Sequence, residues 1–472
     1  MNRKNGIRLK DVLILVLLIF LSLLTENTHN TIKLFGWLNI ILFAYYTVSI
    51  KGKHSFLSIY FIFLFFSVFF HFGQIFTNSL GLGSLISESI ISANVLQDRS
   101  LNTVVHSIKF CTLSIFLFNM GAQYIFNTRY KDEEVDETIL LEREKSGLKV
   151  SRITGLIVLI ISSYFIYKFD SAYIIQGMTN GYIGIRQLDV NYGITDDMAR
   201  LFKVGMILLI IGYKDKKSIF VILVLSNISY SLLKVAVTGL RGYEIIYLVI
   251  LVYIYYKVYK NLSLAKLSLL LTSGIVLLTL SSLTVLYRES TRSFNLSNVW
   301  DFLINRNPII SSINEFGSTL ITTQLFIDFV PQTIDYGYGK SYVYSLVTLL
   351  PNINGFLNDI VQSAYPNVIL ARHFPGIGGS FIGELYYNFG DFGVFVSAFI
   401  GGAIALLSLA AEKALKRKEF FKFGLYAIAF NTILWTVRDS LSTIPRNLMF
   451  ALLVPVVIKV FIDASKKSHV RR

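Results

Sequence analysis

The chain of 472 residues has little charge and almost no cysteine. Charged residues make up 15% of it and hydrophobic residues 54%, whereas a soluble protein of this size carries about a quarter charged residues. That scarcity, with apolar runs as long as the roughly 20 residues that cross a bilayer as a helix, excludes a soluble globular enzyme. Continuous apolar runs also exclude a β-barrel, whose strands read as short alternating segments. The single cysteine, Cys111, excludes an internal disulfide. The six histidines are scattered and show no metal-ligand spacing, so no metal site is expected.

What the chain does have is positive charge, with a formal net value of +15. In a soluble protein that would suggest nucleic acid. Here most lysines lie in short loops between apolar runs, which fits membrane topology and contact with anionic membrane lipids. No nucleic-acid partner is expected.

The pattern predicts an all-α polytopic membrane protein with about twelve transmembrane helices. The spans fall near 12–25, 32–50, 55–77, 101–126, 152–168, 199–213, 218–237, 243–259, 264–286, 378–411, 423–437 and 447–463. "MNRKNGIRLK" resembles the charged start of a signal peptide, but no small-residue cleavage site follows, so an uncleaved first span is expected. One alternating set of loops holds Lys51 and Lys53; Lys214, Lys216 and Lys217; Lys257 and Lys260; "EKALKRKEFFK"; and the tail "KKSHVRR". The excess of basic residues makes these loops, and both termini, cytoplasmic. The cytoplasmic loop from Thr128 mixes both signs and reads as a solvated helix with i,i+4 charge pairs.

The organisation is then three parts. Residues 1–286 hold spans one to nine, with outer loops near 78–100 and 169–198. Residues 287–377 form a large outer loop before the tenth span, and 378–472 hold the last three spans and a basic cytoplasmic tail. Long loops of this kind are usually functional.

Basic residues on the outer side are mostly arginine: Arg186, Arg241, Arg288, Arg292, Arg306, Arg372, Arg438 and Arg446. Lysine suffices as a point charge, whereas arginine offers a planar fork that grips phosphate with two parallel hydrogen bonds. Arg288 and Arg292 are four apart, which stacks them on one helix face. The group points to a lipid diphosphate, with His373 beside Arg372 as a further binding candidate. Tyr338 and Tyr342 in "IDYGYGKSYVYSL" could stack on sugar faces, although aromatic belts enrich tyrosine at any membrane surface.

Where the outer loop returns to the membrane the chain reads "GIGGSFIGELYYNFGDFGV" from Gly376. As one helix it would set Glu384, Asn388 and Asp391 on a single face, with Gly379 and Gly383 as a GxxxG pair that admits a neighbouring backbone. Ionisable groups within spans are costly and are functional candidates. Two roles stay open for Glu384: a general base toward an acceptor hydroxyl, or a partner that pairs with Arg372 or Arg438 and holds helices together.

This late segment resembles the signature of the Wzy-type O-antigen and oligosaccharide repeat-unit polymerases. "TGLRG", "YRESTRS" and "YGYGKSYVYSLVTLLPN" are similar to other parts of that family, so the resemblance runs from Thr238 to the end. It implies a bacterial inner-membrane glycosyltransferase with a GT-C-like fold. Such an enzyme acts on the outer face and moves a growing chain from undecaprenyl diphosphate to a hydroxyl of an incoming lipid-linked repeat unit. It further implies no cofactor and no bound metal, in keeping with the lack of a DxD motif. A chain-length regulator and a flippase are implied as partners. Arg241, Arg288 and Arg292 match the family's diphosphate and glycan ligands best, and Arg186, Arg372, Arg438 and Arg446 join them as substrate-binding candidates, with Glu384, Arg288 and Arg292 as the catalytic ones. A flippase for lipid-linked sugars, or a glycan ligase, is the alternative. Transporters place substrate contacts near the midplane, whereas the polar candidates here crowd one face.

Overall fold

All seven prolines fall at or after position 308, and the helices differ in length accordingly. The computed structural model describes residues 7–50, 56–82, 94–129, 137–186, 194–239, 242–259, 307–350, 357–374 and 377–470. Before the first proline the helices are mostly long: α1 (Leu9–Leu24), α2 (His29–Ile50), α3 (Ile59–Ser79), α4 (Leu101–Arg129), α5 (Glu137–Arg186), α6 (Ile194–Gly212), α7 (Lys217–Thr238) and α8 (Gly242–Tyr259). Beyond it come five short ones: α9 (Pro308–Gly317), α10 (Leu320–Phe329), α11 (Lys340–Val347), α12 (Asn358–Ser363) and α13 (Pro366–Ala371). Pro308 and Pro366 occupy first-turn positions, where the missing N–H costs no helical hydrogen bond. The chain closes with α14 (Phe381–Phe389), α15 (Gly393–Lys416), α16 (Phe420–Trp435) and α17 (Ile444–Val470).

The protein is thus all-helical among the described residues, and polytopic. Nine helical stretches there are long and apolar enough to cross a membrane, α14 and α15 counting as one. The expected first and sixth spans correspond to α1, which has 16 residues, and to α6, which opens on Asp196 and Asp197; neither is among the nine. The expected span at 264–286 lies outside the described residues. Large apolar side chains such as Leu13, Ile222, Leu233 and Phe399 are exposed, which suits a lipid solvent and not water.

Two predicted elements come out differently. The mixed-charge loop, the fifth span and the first part of the outer segment merge into one 50-residue helix, α5. At 1.5 Å per residue that is about 75 Å, well beyond one bilayer, and no proline interrupts it. Among the described residues its charged side chains pair with other segments. Glu144 meets Lys214 at 2.6 Å and Lys418 at 2.9 Å, and Arg143 meets Glu419 at 3.9 Å. The segment read as a large outer loop opens, in its described part, on two helices with an apolar core of their own. Residues Leu320 to Phe326 of α10 are all buried, and Phe316 of α9 stacks on Phe70 of α3 at 5.1 Å.

The helices form two compact units. The first comprises Met1–Asp132, Asn305–Leu409 and Ile433–Arg446; the second comprises Glu133–Ile304, Ala410–Thr432 and Asn447–Arg472. In the first, Phe63 of α3 packs on Phe118 of α4 and Phe381 of α14 at 5.4 and 5.5 Å between ring centroids. Helix α4 also lies against α15 so closely that a Cβ on Gly121 would come within 1.9 Å of the Ala398 carbonyl oxygen. Small residues allow such contact where lipid supplies no hydrophobic drive. Polar side chains knit the rest. Gln74 donates to the Asn314 carbonyl and accepts from the Val95 N–H, while Gln324 donates to the Val95 carbonyl. In the second unit α5 and α6 run together, and Lys257 pairs with Glu412.

Candidate functional site

Helix α14 begins with a cap built for burial. Ser380 accepts the Gly383 N–H at 3.1 Å and gives its own proton to His71 Nε2 at 2.8 Å, while His71 Nδ1–H donates to the Ser67 carbonyl. From Phe381 to Asn388 every residue is buried.

Glu384, in the first turn, is 1% exposed. One carboxylate oxygen accepts the Leu441 backbone N–H. The other accepts the Ser442 N–H at 3.3 Å and the Ser341 hydroxyl at 3.2 Å. Among the described residues its partners are these neutral donors; the pairing with Arg372 or Arg438 weighed above is absent. The carboxylate sits at the start of the 3-10 turn Leu441–Thr443 that leads into α17, where unpaired N–H groups and the helix dipole favour an anion.

Asn388 is fully buried and wholly engaged. Its carbonyl oxygen accepts the Gly339 N–H at 3.0 Å, and its amide donates to Ser341 Oγ at 2.8 Å and to the Glu384 carbonyl at 3.0 Å. The result is a relay from Asn388 through the Ser341 hydroxyl to the Glu384 carboxylate. It locks the turn before α11, where Tyr338 has φ 47° and Gly339 φ 79°. Tyr338 is consequently thrust outward and 73% exposed, whereas the Tyr342 ring stacks on Phe389 at 6.1 Å. Burial, and then the nearby Glu384 carboxylate, push the Tyr342 phenol above its usual pKa.

The third polar residue leaves the expected face. Helix α14 stops at Phe389 because Gly390 adopts φ 56°, ψ −142°, a conformation that L side chains rarely tolerate. Asp391 then sits on the 3-10 turn Gly390–Phe392, exposed, with Oδ1 2.7 Å from His106 Nε2 on α4. The GxxxG glycines do admit close neighbours, but two different ones. A Cβ on Gly379 would lie 2.7 Å from Asp439 Cα, and one on Gly383 would lie 3.1 Å from the Phe326 ring.

The turn that Glu384 grips is bracketed by two predicted arginines, Arg438 and Arg446. Asp439 organises it, accepting from Asn367 at 3.0 Å, from Trp435 Nε1 at 2.8 Å and from the Ser440 N–H at 2.8 Å. Arg446 donates to the Thr348 carbonyl just past the end of α11, at 3.3 Å. Asn367 belongs to α13, so Arg372 and His373, which follow that helix, are tied to the same turn through Asp439. Both are exposed; Arg372 donates to Gln362 and the His373 ring lies 6.0 Å from Phe329. The first unit thus assembles Glu384, Asn388, Tyr338 and Tyr342 with the segments that bear Arg372, Arg438 and Arg446. Arg241, Arg288 and Arg292 lie outside the described residues, as does the side chain of Arg186.

The second unit holds a charged cluster that the sequence reading passed over. Glu244 of α8, 2% exposed, accepts from Lys203 of α6 at 3.0 Å, from Lys234 of α7 at 3.3 Å and from Ser231 at 2.9 Å. Lys234 also meets Asp170 of α5 at 2.7 Å. Two carboxylates and two ammoniums from four helices cancel in charge. Lys203, Lys234 and Glu244 lie inside predicted spans, a position that itself marks an ionisable residue as a candidate, and the same holds for His106, one turn into α4. Among the described residues no group of three or more His, Cys, Asp or Glu side chains could hold a metal ion.

A family model described as O-antigen polysaccharide polymerase Wzy matches residues 11–469. The match extends through the first half of the chain, upstream of the motifs that begin at Thr238. No curated protein and no solved structure matches the chain.

Proposed function

The chain belongs to the O-antigen polysaccharide polymerase Wzy family, and from that premise we propose that it joins lipid-linked oligosaccharide repeat units at the outer face of a bacterial cytoplasmic membrane. The growing glycan leaves undecaprenyl diphosphate and passes to a hydroxyl of an incoming repeat unit. The reaction is a glycosyl transfer of the GT-C type, with both termini of the protein in the cytoplasm. A flippase supplies the units, and a chain-length regulator limits their number.

The observation that carries this reading is the anchored turn between Arg438 and Arg446. Breaking the bond to the lipid diphosphate puts negative charge on its oxygens, and preorganised cations aimed at that charge are often the largest catalytic contribution. Glu384 fixes the backbone between the two arginines through the Leu441 and Ser442 N–H groups. We assign Glu384 to positioning: both of its oxygens are engaged and its side chain is 1% exposed, so an acceptor hydroxyl has no open oxygen to reach. Arg438 and Arg446, with Arg372, Arg186, Arg241, Arg288 and Arg292 from the other outer segments, are the diphosphate and glycan ligands. The exposed Tyr338 and His373 support the sugar, with Tyr342 and Asn388 holding the turn that carries Tyr338.

Deleting the gene and separating the surface glycan by size tests the reading. A product reduced to single repeat units is the expected result. Repeat units retained on the cytoplasmic side would identify a transporter instead, and full-length chains stranded on the carrier lipid would identify a ligase.

A further inference from the structure

The C-terminal end of α14 carries a second chemical device, separate from the Glu384 relay. His106 Nε2 lies 2.7 Å from Asp391 Oδ1. The carboxylate accepts from Nε2–H, which leaves Nδ1 as the ring nitrogen outside that bond. Among the described residues His106 makes no other hydrogen bond. Tyr386 meets the imidazole edge to face at 5.7 Å and is backed by Phe110 at 5.4 Å. The ring is therefore held on two sides while its side chain stays 38% accessible. An orienting carboxylate, a fixed imidazole and an open nitrogen are the parts from which a general base is made.

The backbone is bent to bring the pair together. Were α14 to run on past Phe389, Asp391 would fall on the buried face with Glu384 and Asn388. The break at Gly390 carries it to His106 instead. Tyr336 lies over that break, its hydroxyl 3.2 Å from where a Cβ on Gly390 would sit, and its ring is 5.8 Å from that of the exposed Tyr338. Phe392, next to Asp391, is 77% exposed. An exposed imidazole–carboxylate pair beside tyrosine rings, at the margin of an apolar surface, suits the hydroxyl and the flat face of a membrane-tethered sugar.

On the footing of the polymerase activity above, we propose that His106, oriented by Asp391, is the base that takes the proton from the acceptor sugar hydroxyl. His106 Nδ1 accepts that proton as the hydroxyl oxygen forms its bond to the anomeric carbon of the growing chain. The bond from that carbon to the diphosphate oxygen breaks, and its electron pair leaves with the lipid diphosphate. The imidazolium is stabilised by Asp391 and then returns the proton to solvent. His106 is a catalytic residue in this scheme and Asp391 a positioning residue.

The test uses the full-length protein in lipid vesicles with a lipid-linked repeat unit, and follows polymer formation. His106→Gly and His106→Gln should each slow polymerisation by about a hundredfold or more, the range of general-base contributions. Added imidazole should restore part of the rate to His106→Gly and none to His106→Gln, whose side chain still fills the site. Asp391→Asn should lower kcat by less than either and leave KM for the lipid-linked unit unchanged. Wild-type rates in both His106 variants overturn the assignment. So does a crippled His106→Gly protein, normal in amount and in elution from a sizing column, that imidazole fails to revive. Failure of the wild-type protein to form polymer is a different result, which removes the polymerase reading and this step with it.

Discussion

Glu384 and Glu244 are both buried glutamates on apolar helices, and they are satisfied in opposite ways. Glu244 is neutralised by two lysines, Lys203 and Lys234, the second shared with Asp170. Glu384 is held by two backbone N–H groups and a hydroxyl, with no cation among those partners. The first arrangement fastens side chains on four helices and leaves no net charge. The second fixes a stretch of backbone, the Leu441–Thr443 turn, beside a segment that bears two arginines. A carboxylate that holds backbone can set the position of its neighbours without pairing with them, which is the property wanted in a site whose cations face a substrate.

Removing each carboxylate should separate the two roles. Glu244→Ala leaves Lys203 and Lys234 with only Asp170 between them, and breaking a buried ion pair from one side costs about 3–5 kcal/mol. Thermal unfolding of the detergent-purified protein should show that loss; a midpoint unchanged from wild type would mean that the cluster is solvated. Glu384→Gln exchanges two oxygens, which accept from the Leu441 and Ser442 N–H groups, for an amide that can present only one. Leaving one buried N–H donor unsatisfied costs about 1–3 kcal/mol, so stability should fall by less than in Glu244→Ala while polymer formation falls by more. The reverse ranking would dissolve the contrast. Arg446→Lys keeps the charge and loses the fork, and should lower polymerisation with little effect on unfolding. Ser341→Ala removes one neutral link in the relay from Asn388, for about 1 kcal/mol, and should lower the unfolding midpoint by less than either glutamate change.

Much of the fold was legible because bilayer thickness fixes helix length, and apolar runs therefore announce themselves. Glu384 and Asn388 were legible too, as polar groups one turn apart in an apolar helix, and both are buried at the junction of three segments. Asp391 was misplaced on their face because a single backbone angle, φ 56° at Gly390, is not visible in a helical periodicity. The described part of the 287–377 segment read as loop because Ser311, Ser312, Asn314, Ser318, Thr319, Thr322 and Thr323 dilute its apolar pattern. In the fold Ser312, Asn314, Thr319, Thr322 and Thr323 are buried, and Thr322 and Asn314 take up hydrogen bonds to Gly378 and Thr77. The Asp170–Lys203–Lys234–Glu244 cluster escaped notice because its members are separated in sequence and meet only when four helices pack. Metal-ligand spacing, which the histidines lack, says nothing of His106, whose partner is a carboxylate 285 residues away.

The most direct measurement is on the wild-type protein alone, purified into vesicles whose outer leaflet holds a single lipid-linked repeat unit. The account predicts glycans of increasing length, still attached to lipid diphosphate, with one lipid diphosphate released for each bond formed. Repeat units that stay single in length while crossing from one leaflet to the other would contradict it.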